Sequence, residues 1–508
     1  MRYPELTMRE DNASLSVETF IYIISVVYYG LHFKGKKVYF MGYSMSREQK
    51  RARIQMLRKT IAVLFVLCVI LFVADIVCVF VLLGKKGKSK PKATETTPTS
   101  VSVSEDTSAD SSGDSSASES SEPTDTTPVS GGVEVKEYLP QNDLAESYWG
   151  PLPAVTEVKP VQHNKIHGIY IASCMHFEEN LELAKKTDIN AFVIDLKDEG
   201  GGVYYNTSNE MAKEMHLWVD NGGNWTDKGP GSYVQNAYNL EEIVKKCHEN
   251  DIKVIGRIVC FNDPSMARNH PEMSIKDANG ESMHFNLEGK HQFLNPYDPR
   301  VWDFLISLAQ EAVEKGVDEI QFDYVRFPTI STKKYNEKPY FGPEDSTPSR
   351  IDAINRFLQT ARRKIQDPTG IPVTADVFGI ILSSELDGKL IGQGWDTVGL
   401  TGIDSLCPML YPSHYADNTQ LNGKTFDYPD LYPHDVMYNA LMAGKTSASA
   451  DGYATVRPYV QAFTATWISH HLNYKVPEVK AQIQAIYDAG YDEWILWNAA
   501  ANYTNRYE

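Results

Sequence analysis

Gln321-Phe322-Asp323-Tyr324-Val325-Arg326-Phe327-Pro328 is an apolar segment that delivers an Asp and an Arg just before a Pro stops it. Its β-branched and aromatic residues predict a buried strand, and Pro328, which has no N–H to donate, closes it. Further on, Pro372-Val373-Thr374-Ala375-Asp376-Val377-Phe378 has the same character and also delivers an Asp near its end. An amphipathic helix fits between them: Ile351, Ile354, Phe357, Leu358, Ala361 and Ile365 recur at helical spacing. Strand, helix and strand in that order make a βαβ unit, the building block of parallel sheets.

The same alternation extends in both directions. Strands are predicted at His167–Ala172, Ala191–Leu196, Lys253–Val259, Glu319–Val325, Val373–Phe378, Ser405–Leu410, Arg457–Ala462 and Glu493–Trp497. One intervening helix opens at Asp298-Pro299 and stops at Gly316; another opens at Asn239 with Glu242 three residues on; a third starts near Pro477 and closes at Gly490. Eight β/α units over residues 161–508 predict an α/β fold of the (β/α)8 TIM barrel type. An open doubly wound sheet competes, but Tyr170-Ile171-Ala172-Ser173-Cys174 lacks the phosphate-binding glycines expected after its first strand. Long inserts follow the second strand (Gly200 to Tyr238), the third (Asn262 to Tyr297) and the sixth (Pro412 to Pro433). All three lie on the side where a barrel keeps its active site.

The chain has 508 residues, 42% of them hydrophobic and 11% aromatic, and a net charge of −17. With no basic surplus to neutralise phosphates, a nucleic-acid partner is excluded. Of the six cysteines, Cys68 and Cys78 lie in a membrane-type segment, while Cys174, Cys247, Cys260 and Cys407 are scattered singly. That is neither a disulfide framework nor a zinc site.

The first third of the chain is of another kind. Ile61 to Leu83 is an apolar run long enough to span a bilayer, interrupted by one charge, Asp75, at a cost of roughly 2.5–3.5 kcal/mol near the centre. Basic residues flank it on both sides and no small-residue cleavage site follows, so residues 60–84 read as an uncleaved signal-anchor helix. Residues 1–59 form a cytoplasmic head, in which 1–44 read as a misassigned extension or a poorly ordered segment ahead of a start at Met45. From Ala93 to Val135 the chain is Ser, Thr, Pro, Asp and Glu with no Lys or Arg. Such a composition cannot offset its ordering entropy, so residues 85–160 are expected to be a disordered linker. The expected location is the cell membrane, single-pass, with the barrel outside.

Strand alternation predicts which side chains enter the barrel. On the fourth strand Gln321 and Asp323 face inward, opposite Ile320, Phe322 and Tyr324; on the fifth Thr374 and Asp376 do. The second strand puts Asp195 and Lys197 on one face, with Asp198 beyond. The third offers Arg257, the sixth Tyr411 and His414, the seventh Gln461, and the eighth Asn498 beside Trp497. Two carboxylates at the ends of successive strands are what glycosidic bond cleavage needs. Asp323 is the expected nucleophile, kept ionised by Arg326 or Arg257, and Asp376 the general acid/base in a less polar pocket. Asp195 and Asp198 are rival acids. Tyr411, His414, Gln461 and Asn498 are expected on sugar hydroxyls, with Trp497, Trp467 and Tyr415 against ring faces. For metal chemistry, His270, His284 and His291 cluster in the third insert and His470 and His471 are adjacent, but none has the i, i+4 spacing of a helical zinc pair. No metal or cofactor is expected.

Residues 166–505 resemble the "putative glycosyl hydrolase domain" family of bacterial barrels. The likeness is carried by Gly168-Ile169-Tyr170, Val193 to Asp198, Arg257 to Pro264, Asp318 to Pro328, Ala375 to Gly379, Pro408 to Tyr415 and Trp494 to Ala499. It implies a glycosidase-like barrel with an Asp nucleophile after the fourth strand and an acid after the fifth. That acid is an Asp here, where the wider pattern has Glu, which shortens its reach. The expected activity is hydrolysis of a polysaccharide, of the cell envelope in the simplest case. The alternative is a carbohydrate-binding barrel without turnover.

Overall fold

The computed structural model describes residues 133–214, 216–220, 225–230, 233–341 and 348–507. The predicted head, signal anchor and most of the linker lie outside these residues. Among the described residues, no helix is long and apolar enough to cross a membrane.

Eight parallel strands form the centre: β1 (His167–Tyr170), β2 (Ala191–Lys197), β3 (Lys253–Val259), β4 (Glu319–Asp323), β5 (Val373–Phe378), β6 (Ser405–Met409), β7 (Tyr459–Gln461) and β8 (Trp494–Trp497). Each pairs with its chain neighbours, and β1 pairs with both β2 and β8, so the sheet closes on itself. This is the expected barrel. The predicted seventh strand, Arg457–Ala462, begins only after Pro458, which cannot donate to a ladder, and a separate short strand ahead of it, Thr455–Val456, also pairs with β6.

Helices α1 (Phe177–Ala184), α2 (Leu240–His248), α3 (Pro299–Glu314), α4 (Arg350–Ala361), α5 (Glu385–Ile391), α6 (Pro433–Ala448) and α7 (Val476–Asp488) lie on the crossovers. Their starts are chemically specified. Asn239 accepts from Glu242 N, Asp298 from Arg300 N, and Ser349 and Asp352 form a reciprocal capping box. Beyond α3 the chain turns at Gly316, at φ +95°. Outward residues such as Phe192, Ile194, Ile320, Phe322, Val373 and Ala375 pack against the helices in one large core. A second, inner cluster fills the barrel with Tyr170, Val193, Ile255, Cys407, Tyr411, Tyr459 and Ile495.

Residues 133–160, expected to belong to the linker, instead pack on the barrel. Asp143–Trp149 is helical, and Trp149 stacks on Tyr297 at 6.0 Å. Ala145, Leu152 and Val155 are buried. The Ser/Thr-rich composition ends near Val135, and the residues after it supply the apolar surface that ordering needs.

Candidate active site

β4 ends earlier than its apolar run. Tyr324 leaves the strand at φ +48°, an uncommon conformation for an aromatic residue, and its N–H donates to Asp323 Oδ1 at 2.5 Å. Asp323 therefore stands at the mouth with its backbone direction set by the turn behind it. Arg257, from the adjacent strand, donates to Asp323 Oδ2 twice, through Nε at 2.9 Å and Nη2 at 2.6 Å. Its Nη1 donates to Asp195 Oδ1 at 2.5 Å, and the Tyr170 hydroxyl donates to Asp195 Oδ2 at 2.5 Å. Tyr170 stacks on Trp497 at 3.9 Å, and the guanidinium lies 5.5 Å from each ring centroid. Burial raises Asp195 to about 6 against the opposing pull of Arg257 and Tyr170.

Asp376 is placed differently. The β4–β5 register sets Phe322 beside Ala375, so the next pair on the inward face is Asp323 and Asp376. Asp376 is 1% exposed and its Oδ1 has no hydrogen-bond partner. Burial first, and the Asp323 charge second, push its carboxyl well above the usual carboxylate range. One carboxylate accepts three hydrogen bonds while its neighbour is buried, with Oδ1 unpartnered and its pKa pushed up, the division of environments that acid/base sites use.

Other expected site residues are engaged elsewhere. A bulge in β2 between Asp195 and Lys197 breaks the alternation that put both on one face. Lys197 is fully buried, 2.9 Å from Asp263 and donating to Val259 O, not beside Asp195. Asp198 closes the turn after β2: Oδ1 accepts from Gly200 N and Gly202 N, and Oδ2 from the Tyr204 hydroxyl. Arg326 pairs with Glu288 at 2.9 Å, so Arg257 and not Arg326 holds Asp323. Gln461 ties Ser413 N to Asp430 and Phe463 O, and Asn498 bonds Ala462 O and Asn502 O. Both brace loops of the mouth through bonds within the protein.

Tyr411 is buried, with Phe463 edge-on at 5.7 Å and the exposed His414 edge-on at 5.0 Å. Phe463 in turn stacks on Trp467, which is 66% exposed, so aromatic surface runs from the barrel interior outward. Trp497 presents its ring only partly, because Tyr170 covers one face. His270, His284 and His291 bond to separate partners: Glu272, Lys290 O and Asn262.

Tyr170, Asp263 and Glu288 were not singled out from the sequence. Alternation applied to β1 would have placed Tyr170 inward, and Asp263-Pro264 is a helix-start signal, Asp263 accepting from Met266 N at 2.7 Å. Nothing local marks Glu288 as the partner of Arg326.

A family model described as "Putative glycosyl hydrolase domain" matches residues 166–503, and the chain belongs to that family. The curated proteins contain no match to it. Among solved structures, a hypothetical protein from Ruminiclostridium thermocellum ATCC 27405 is 34% identical over 41% of this chain and 97% of its own, with a TM-score of 0.34. The PgaB (BpsB) glycoside hydrolase domain from Bordetella bronchiseptica is 12% identical over 67% and 95%, TM-score 0.45. An alpha-galactosidase from Thermus thermophilus is 10% identical over 69% and 60%, TM-score 0.39.

Proposed function

We propose that this glycosyl hydrolase domain cleaves a glycosidic bond of a polysaccharide by a two-carboxylate mechanism, with Asp323 as nucleophile and Asp376 as proton donor. The observation that carries the reading is their in-register placement on β4 and β5 in opposite environments. Neighbouring strands run about 4.8 Å apart. That favours the short carboxyl separation of retaining enzymes, about 5–5.5 Å, over the 6.5–9.5 Å of inverting ones. Asp323 attacks the anomeric carbon and forms a glycosyl ester, while the bond to the leaving oxygen breaks and Asp376 gives that oxygen its proton. The Asp376 carboxylate then takes a proton from water, whose oxygen displaces Asp323 and restores both groups.

Mass spectrometry after reaction with 2-fluoro glycosides tests the assignment: the label is expected on Asp323. Hydrolysis abolished by Asp323→Ala, with Asp376→Ala rescued on substrates with an activated leaving group, supports both roles. Labelling of another carboxylate refutes them.

One observation favours a second reading, a carbohydrate-binding barrel without turnover: Asp323 and Asp376 are only 4% and 1% exposed. Glycan binding unchanged by Asp323→Asn, with no release of reducing ends, would decide for it.

The apolar run Ile61 to Leu83 and the Ser/Thr-rich segment after it support a membrane-anchored domain held outside the cell on a stalk, with an envelope polysaccharide as substrate. Protease treatment of intact cells should release the domain. Full protection would refute this location.

A further inference from the structure

Three cations near the mouth, among the described residues, are matched from within the protein. Arg257 is shared between Asp323 and Asp195, Lys197 is paired with Asp263, and Arg326 with Glu288. Two further carboxylates follow β2, Asp198 and Glu199. Asp198 is satisfied by the turn it closes. Glu199, next in the chain, is exposed and has no hydrogen bond or ion pair among the described residues.

The turn that carries Glu199 is held from several directions. Gly201 N donates to Asp198 O, Asp198 N donates to Gly202 O, and the Ser265 hydroxyl donates to Gly200 O at 2.6 Å. Gly201 sits at φ +83°, and a Cβ there would clash with Asp263 Oδ1. Glu199 is thus presented on a tight, braced turn and not on a floppy loop. Its charge acts on Tyr170, Tyr204, Arg257 and Tyr324, three of which belong to the network around Asp323. Independently, the unpartnered Oδ1 of Asp376, 1% exposed in the same mouth, is an acceptor or donor waiting for an external group.

We propose that Glu199 is a substrate-contacting carboxylate of this cleft, and that the cleft takes a glycan unit offering a hydroxyl or ammonium donor and carrying no acidic group. The proposal rests on the mouth being the glycan site. A sugar acid would meet the unmatched Glu199 charge with Arg257, Lys197 and Arg326 already committed, and like charges in a cleft repel at close range. A hydroxyl or ammonium donor gives Glu199 the partner it lacks.

Calorimetric titration of the full chain with chitosan, laminarin and galacturonate oligosaccharides tests this. Binding is expected for chitosan, laminarin or both, and not for oligogalacturonate. Glu199→Gln should weaken the bound probe about tenfold, the loss of one charge-assisted hydrogen bond, and Glu199→Lys should lower chitosan affinity further. A larger loss for chitosan than for laminarin identifies the ammonium as the donor; equal losses identify a hydroxyl. Because Glu199 is exposed, both variants should fold as wild type by circular dichroism. Oligogalacturonate binding at least as tightly, unchanged affinity in Glu199→Gln, or no binding of any probe overturns the proposal. Glu199-dependent binding without hydrolysis would refute the catalytic reading and leave this one standing. Hydrolysis indifferent to Glu199 would do the reverse.

Discussion

Asp376→Asn separates the protonation of Asp376 from any knowledge of the substrate. Asn keeps the shape of the neutral acid, so at low pH, where Asp376 is protonated folded or unfolded, the variant should match wild type within about 1 kcal/mol. Above the unfolded-state pKa of about 3.9 the two should diverge. Burial and Asp323 raise the folded-state pKa, so the native protein keeps a proton that the unfolded chain has released. Wild-type stability therefore carries a component that falls as pH rises, by about 1.4 kcal/mol per pH unit, until the folded pKa is reached. Asp376→Asn lacks that component. Relative to wild type it should gain stability as pH rises above the unfolded-state pKa, until the folded pKa is reached, while losing hydrolysis by about 10²–10⁴-fold. Urea unfolding at pH 5, 6 and 7, followed by fluorescence of the buried Trp302, Trp395 and Trp494, measures the difference directly. Parallel pH dependences for the two proteins would mean that Asp376 is ionised in the fold and unable to donate a proton at neutrality.

Asp323→Ala removes the acceptor of two Arg257 bonds and should destabilise by up to about 3–5 kcal/mol, less where Asp195 retains the guanidinium. Denaturant midpoints for Asp323→Ala and Asp323→Asn check it, Asn being the milder change. Gly201→Ala puts a Cβ against Asp263 at a positive φ and should cost about 1–3 kcal/mol, read as a lower melting temperature. His163 is raised by its hydrogen bond to Asp404, against partial burial. Its stabilisation is full below about pH 6.5 and is lost as pH rises through the folded pKa. With the side chain 38% exposed the effect should stay under about 1 kcal/mol, and the gap between wild type and His163→Ala should close from pH 5.5 to pH 8.5.

The elements of the barrel were legible because their signals are local. Alternation, helical spacing, Asn239, Asp298 and Gly316 each act within a few residues, and the eight strands fall where those signals put them. Asp323 and Asp376 were legible for the same reason, since inward facing follows from position along a strand. Lys197 was misplaced by a bulge, which is a property of the β2–β3 pairing and not of β2.

By itself the sequence determined the closed βα order, the core faces and the inward positions of Asp323 and Asp376, because short-range sterics and periodicity dictate these. Only the tertiary structure decided the charge partners. Arg257 and Arg326 are both near Asp323 in expectation, yet one reaches Asp323 and Asp195 while the other turns to Glu288, 38 residues earlier in the chain. Among the described residues no cation forms an ion pair with Asp376, and burial together with the Asp323 charge raises its carboxyl against the pull of Arg257 and Arg457. Side-chain reach across strands and loops sets these pairings, and desolvation by distant residues sets the protonation that follows.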